Sequence, residues 1–267
     1  MKTRSYLIFA ICALIQSCNL ADAQIIWLST KNMDFRNCDR EEREVKYFDA
    51  ISNTCPFDVL YEQSDEQYVI VEGDEEYFER IHTDVVRGVL EIKIDPARYR
   101  NVRLRVKVGC PDITQITMNG SGSIQCLSDI EAGDDFILKV SGSGDITARQ
   151  IRCSGIETSV TGSGDISIAE IVGGDVNVSV TGSGDWTAKS VKAVNLNIAL
   201  AGSGDIDITG VDIEDTMSAT VAGSGDIDVN GKAANVKAKV TGSGDISGRV
   251  IYDHITKIKT GSGDIDW

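Results

Sequence analysis

Apolar and polar residues alternate along most of the chain, and the alternation itself recurs. Val176, Val178 and Val180 alternate with Asn177, Ser179 and Thr181. Steps of two send successive side chains to opposite faces of a strand. The segment returns at intervals of nineteen to twenty-two residues, marked by Gly-Ser-Gly starting at Gly120, Gly142, Gly162, Gly182, Gly202, Gly223, Gly242 and Gly261. Asp follows in seven of the eight copies, as Asp145, Asp165, Asp185, Asp205, Asp226, Asp245 and Asp264, and Ser123 stands in the first. The next position is apolar throughout: Ile124, Ile146, Ile166, Trp186, Ile206, Ile227, Ile246 and Ile265. Two residues before each first Gly lie Met118, Val140, Val160, Val180, Leu200, Val221 and Val240. Two further back lie Ile116, Leu138, Thr158, Val178, Ile198, Ala219 and Ala238.

A repeat this short has no room for two helices, and a glycine costs about 1 kcal/mol in a helix interior. A β-coil, by contrast, uses glycine where the chain turns with positive φ. Each copy is therefore read as one coil stacked on the last at ~4.8 Å, eight coils making a rod of roughly 38 Å. A single coil cannot bury its apolar face, so stacking creates the core. Residues 119–267 form this unit.

Residues 24–118 have another texture: they lack the glycine repeat and hold most of the aromatic residues. Leu90, Ile92 and Ile94 alternate with charged residues, as do Val102, Leu104, Val106 and Val108, which predicts strands. Tyr68 to Val71 is another strand, Arg87-Gly88 a hairpin turn, and Pro96 a strand end. Asp74 to Ile81 suits a short helical turn capped by Asp74. The block is expected to cap and extend the solenoid at its N-terminal end.

Residues 1–23 have a basic start (Lys2, Arg4), an apolar run from Tyr6 to Ile15 and the small-residue site Ala21-Asp22-Ala23, the pattern of a secretory signal peptide. Ile15-Gln16-Ser17-Cys18 is a loose lipobox, so a lipid anchor through Cys18 is the alternative. No segment reaches the roughly 20 apolar residues of a membrane-spanning helix. The expected location is the periplasm, the outer-membrane surface or the medium. The net charge of −15 disfavours nucleic acid and anionic membranes as partners. Export permits disulfides. Cys38, Cys55, Cys110, Cys126 and Cys153 make an odd set, with Cys38–Cys55 a possible bridge. With only His82 and His254 and no CxxC motif, a zinc site is not expected.

The whole pattern resembles the putative auto-transporter adhesin, head GIN domain family. The matching pieces are Val45 and Phe48, then Phe57, Val59 and Tyr61, then Val69 and Val71 before Gly73-Asp74. Gly88 with Leu90 and Ile92 follow, then Ile113, Ile116 and the Gly-Ser-Gly-Asp-Ile repeats, so that the resemblance spans roughly residues 40–267. It implies a right-handed β-helix with a surface or adhesive role. The chain given runs to Trp267 within its eighth repeat and shows no set of barrel strands, so it is not expected to be an autotransporter by itself. The fold class is accordingly all-β, a right-handed parallel β-helix with a strand-rich N-terminal cap.

The Asp column is the sharpest chemical feature. Two full charges ~4.8 Å apart repel by about 0.9 kcal/mol in water. Each Asp is expected to accept a backbone N–H within its own turn. The competing reading is calcium, best placed at Asp205 and Asp207 facing Asp226 and Asp228; no other cofactor is expected. The nearly constant repeat leaves no long loops to build a catalytic cleft, and no catalytic residues are assigned. His82 reads as a solvated histidine, Cys126 as a buried reduced thiol and Trp186 as core. At the C-terminal end, Lys257 and Lys259 occupy columns that are otherwise mostly apolar. A slipped or bulged last coil is expected to release them to solvent, with Trp267 covering the open core. The function expected is a non-enzymatic envelope binding or adhesion module for a glycan or protein ligand. The alternatives are a structural or assembly component of the envelope and, behind it, a carbohydrate-active enzyme.

Overall fold

A computed structural model describes residues 34–267. The signal-peptide and Cys18 assignments lie outside the described residues. The fold is 65% strand and 3% helix, a β-solenoid of about 7 turns. The eight Gly-Ser-Gly turns stand in one line and bound these turns, instead of each marking a complete coil.

Asp175–Gly182 illustrates the stacking. It pairs in parallel with Gly155–Gly162 on one side and Asn195–Gly202 on the other, residue for residue. The turn then leads into Trp186–Ala193, which pairs with Ile166–Val172 and with Ile206–Gly223. Alternation slips once in that strand: neither Lys189 nor Ser190 is buried. The pairing is interrupted at the same point, between Ala188 and Ser190.

The predicted columns face inward. Ile146, Ile166, Trp186, Ile206, Ile227 and Ile246 are in register and fully buried. Burying each such side chain contributes about 1.5–3 kcal/mol. Thr158, the polar member of its column, donates from Oγ1 to the Asn177 carbonyl (3.3 Å).

Both glycines of the turn are required, for different reasons. The first takes positive φ, as at Gly182 (129°) and Gly202 (149°). The second passes so close to the coil below that a Cβ on Gly204 would stand 2.0 Å from the Gly184 carbonyl oxygen. The first glycine's carbonyl also accepts two N–H groups of the next coil, as Gly162 does from Ser183 (2.8 Å) and Gly184 (3.2 Å).

The N-terminal block continues the stack, then turns it back on itself. Ala50–Asn53 pairs in parallel with Gln115–Met118 and with Val89–Ile94; Asp58–Gln63 does so with Ser123–Cys126 and Leu104–Cys110. Three antiparallel pairings follow. Ile81–Val86 lies on Val89–Ile94, Tyr68–Gly73 on Leu104–Cys110, and Asp39–Glu42 on Tyr68–Gly73. Arg87 and Gly88 form the hairpin turn with φ of 54° and 83°, the two left-handed residues that a tight hairpin needs. The helical turn is a 3-10 helix, Glu75–Arg80, with Asp74 at its N-cap position. Asp74 does not cap it, contrary to expectation. Its carboxylate instead takes the Arg103 backbone N–H (2.9 Å) and guanidinium (2.7 Å), a charged partner that outcompetes a backbone amide.

All five described cysteines are free, so the Cys38–Cys55 bridge is not formed. Cys55 is fully buried in the core, whereas Cys38 donates its thiol to the Phe35 carbonyl (3.1 Å) nearer the surface. Cys126 is the buried thiol expected, pushed up to about 12 by burial.

The last coil also departs from expectation. Val250–Gly261 stays in register on Ile227–Gly242, with Lys257 on Ala238 and Lys259 on Val240. No slip is needed. No described coil lies above these inward positions, so both lysines stay exposed at the open core end, with Lys257 held by the Ile265 and Trp267 carbonyls and Lys259 by Asp264. Trp267 is half-buried over this end and donates from Nε1 to the Ser247 carbonyl (2.6 Å).

Candidate functional site

Two surfaces stand out on the solenoid. The first is the carboxylate column. Each Asp accepts at Oδ1 the backbone N–H of the Asp one coil on: Asp185 from Asp205, Asp205 from Asp226 (both 2.9 Å) and Asp226 from Asp245 (2.7 Å). The acceptor role is as expected, but the donor belongs to the next coil and not to the same turn. Stacking in register brings equivalent turns closer than the turn's own amides. The column is thus a ladder that joins coils, and each hydrogen bond offsets part of the repulsion between neighbouring charges. Asp264 ends it and takes the Lys259 ammonium instead.

The four residues considered for calcium do come together on adjoining coils. Asp207 is in register with Asp228, two residues beyond the Asp205–Asp226 rung. Several of their oxygens are already engaged. Asp205 and Asp226 each hold a backbone N–H, and Asp228 accepts from Asn230 (2.8 Å) and Ser247 (3.0 Å). Partial burial, then the charges of Asp228, Asp205 and Asp185, raise the Asp207 carboxyl above its ordinary value. Among the described residues, no group of three or more His, Cys, Asp or Glu is placed to hold a metal ion.

The second surface is the outer face of the strands that lead into the Gly-Ser-Gly turns. Three outward columns run along it. They are Glu157, Asn177, Asn197 and Ser218; Ser159, Ser179, Ala199 and Thr220; and Thr161, Thr181, Ala201 and Ala222. In these three columns no charge stands between Glu157 and Lys237 and Lys239 on the far coil, whereas the outward position at the start of the same strands holds Asp175, which accepts from Asn195 Nδ2 (2.9 Å). An open concavity of 320 Å³ lies along it, lined by Asn177, Ser179, Asn197, Ala199 and Ser218 among others. The amides are ordered: Asn197 Nδ2 donates to Asn177 Oδ1 (3.1 Å). At one edge Lys139 pairs with Glu157 (2.8 Å). Val176, Val178, Val180, Ile198 and Leu200 are buried beneath the face. The sequence reading registered these positions only as the polar half of an alternation. Their lack of charge in a chain of net −15 was the signal available.

His82, exposed as expected, contacts Asp95 (2.8 Å) on an outer strand. No helix among the described residues is long and apolar enough to cross a membrane.

A stacked parallel solenoid with an ordered side face and a strand-rich end block defines a class of rod-like β-proteins. The chain belongs to the putative auto-transporter adhesin, head GIN domain family, whose model matches residues 47–213. No curated protein matches the sequence. Among solved structures it is similar to a putative adhesin of Parabacteroides distasonis ATCC 8503, with 20% identity and a TM-score of 0.75 over 86% of this chain and 96% of that one. A putative adhesin of Parabacteroides merdae ATCC 43184 shares 19% identity and a TM-score of 0.75, covering 86% and 95% of the two chains. A putative lipid binding protein of Parabacteroides distasonis ATCC 8503 shares 23% identity with a TM-score of 0.66, covering 86% and 96%. These likenesses are of fold.

Proposed function

We propose that the protein is an exported, non-catalytic binding module of the cell envelope that holds an uncharged, hydrogen-bonding ligand such as a glycan on the face centred on Ser179 and Ala199. The carrying observation is that, in a chain of net −15, the strip of three columns running from Asn177, Ser179 and Thr181 to Ser218, Thr220 and Ala222 holds no charged residue. An acidic surface repels anionic ligands, and the strip offers amide and hydroxyl groups without that penalty. Its ordered amides keep the ordering cost of binding low. By strand spacing and rise the strip covers roughly 300 Å², well under the ~800 Å² per partner of a stable protein complex. That size favours a chain-like ligand over a folded domain. The adhesin family and the fold relatives described as adhesins or as lipid binding are consistent with a binding role. Among the described residues the Gly-Ser-Gly turns are uniformly short, which supports binding over catalysis on the repeat stack.

The test is a glycan array and an envelope-fraction pull-down with residues 24–267, repeated with the double variant Ser179→Arg and Ala199→Arg. The variant should lose captured ligand by about tenfold or more in affinity, with an unchanged melting temperature. A ligand held equally well by both proteins would refute this face as the site. No ligand in either screen would favour the purely structural role.

A further inference from the structure

Val250–Gly261 pairs on one side only, with Ile227–Gly242. No described residue pairs with its outer edge. The residues that follow stay level with their own coil: Ser262 and Gly263 donate to the Gly242 carbonyl (2.8 and 3.2 Å), and Asp266 to the Ile246 carbonyl (2.8 Å). An unpaired edge is a template for another strand.

The centre of this edge reads Thr256-Lys257-Ile258-Lys259-Thr260, the same in both directions. Antiparallel pairing about a two-fold axis at Ile258 would set Thr256 opposite Thr260 of a second copy, Ile258 opposite its equivalent, and Lys257 opposite Lys259 of the second copy. Every pair suits itself except the lysines. Like charges directly opposite one another destabilise a sheet. Here they also stand in the inward columns of Ala238 and Val240, where pairing would remove them from water. Alone, each lysine has a local acceptor. Lys257 Nζ donates to the carbonyls of Ile265 (3.2 Å) and Trp267 (2.6 Å), and Lys259 Nζ to Asp264.

We propose that this edge rejects a second copy of itself and accepts a strand presenting carboxylates at two alternate positions with an apolar residue between them. Such a strand adds backbone hydrogen bonds along the edge. Its carboxylates give Lys257 a charge-assisted partner in place of two neutral carbonyls and offer Lys259 a second one beside Asp264. Its central residue covers Ile258, now 53% exposed.

The probe is the chain itself carrying Lys257→Glu with Lys259→Glu, which presents the required pattern about the same axis. Mixed in equal amounts with the unaltered chain, it should sediment as a one-to-one complex that high salt weakens. Association should be about tenfold or more stronger than that of either protein alone. A mixture sedimenting as two monomers overturns the proposal. So does self-association of the unaltered chain that the double substitution abolishes. If circular dichroism shows the variant unfolded, a synthetic peptide carrying Glu-Ile-Glu in the same strand context replaces it. The readout is then slowed amide exchange along Val250–Gly261, and unchanged exchange at millimolar peptide overturns the proposal.

Discussion

The repeat stack and the N-terminal block share parallel pairing but hold together in different ways. In the stack the side chains are mostly small or aliphatic, and the contacts that every coil repeats lie in the turns, with exposed pairs such as Lys192–Glu170 (2.7 Å) and Lys232–Asp212 (3.2 Å) added between single coils. A glycine carbonyl takes two N–H groups of the next coil and an Asp carboxylate takes a third. In the block, Phe48, Phe57, Tyr61 and Phe78 fill an aperiodic core, and ion pairs tie strands together. Glu72, only 1% exposed at its side chain, meets Arg105 (2.6 Å), Arg40 (3.0 Å) and Lys107 (3.1 Å). Arg105 also stacks on Phe35, 4.0 Å from its ring centre. The difference follows from periodicity. Where each coil meets a copy of itself, backbone groups satisfy one another by translation. Where the stack must reverse strand direction and stop, translation fails, and individual long-range side-chain contacts take over.

The severest way to break the stack is a charge in its central column. Ile206 is fully buried, in register with Trp186 and Ile227. Ile206→Asp should cost more than about 4 kcal/mol, because a lone carboxylate has no partner there. Coils are stabilised by their neighbours, so the loss should spread in both directions. A denaturant melt that matched the unaltered chain would refute the register.

The block should break through its charges. Glu72→Gln leaves three cations around a neutral amide and should cost about 3 kcal/mol at neutral pH. Burial alone would raise the Glu72 carboxyl, but hydrogen bonds from Arg105 and Lys107, with their charges, outweigh it and hold the group below its ordinary value of 4.5. A lowered folded pKa means that its stabilisation is complete above the unfolded value and disappears as pH falls through the folded one. The gap between the two proteins should therefore close in acid. A gap constant down to pH ~2 would mean that Glu72 acts by shape and not by charge.

The same contrast decides what could be read beforehand. The Ile column, the Val and Leu columns and the glycine turns were legible because every coil restates them. The donor to each Asp was not, since an amide of the same turn and one a coil away leave the same sequence mark. The lysine register is not legible in the sequence because a charge in an apolar column implies a slip only where a coil lies on both sides, and here Lys257 and Lys259 keep their place and stay exposed. In the block, alternation disclosed the strands but not their partners. Asp74 shows why: the choice between capping a helix and holding Arg103 depends on a residue 29 positions away. The uncharged face was hidden for the opposite reason, being ordinary in any single coil and distinctive only when four are laid side by side.

Glycine substitutions sharpen the comparison within the repeat half itself. Gly204→Ala forces a Cβ against the Gly184 carbonyl oxygen at 2.0 Å and should cost about 2 kcal/mol as the coils part. Gly133, just ahead of the regular coils, has nothing within 4 Å of such a Cβ. Gly133→Ala should be neutral or slightly stabilising, since alanine lowers the entropy of the unfolded chain. Equal effects in thermal melts would mean that the turn column tolerates more separation than its contacts suggest.

The smallest expected effect tests whether the stack carries any unrelieved charge. The ladder carboxylates each hold an N–H, but Asp207 stands beside Asp228 on the neighbouring coil. Burial and the charges of Asp228, Asp205 and Asp185 raise its carboxyl above the ordinary value of 3.8. The linkage then runs opposite to that of Glu72. Below the unfolded value both states hold the proton and no penalty exists. As pH rises towards the folded value the penalty grows, and above that it is complete. Asp207→Asn should thus stabilise the protein at neutral pH, by up to about 0.5 kcal/mol for a cross-strand like-charge pair, and the gain should vanish in strong acid. Salt should reduce it by screening. Calcium adds a further distinction. Because Asp205, Asp226 and Asp228 already spend oxygens on hydrogen bonds, calcium chloride should raise the melting temperature no more than sodium chloride of equal ionic strength. A larger rise, lost in Asp207→Asn, would show the carboxylates rearranging around a bound cation, and a charge cluster would then tie coils together as Glu72 ties strands in the N-terminal block.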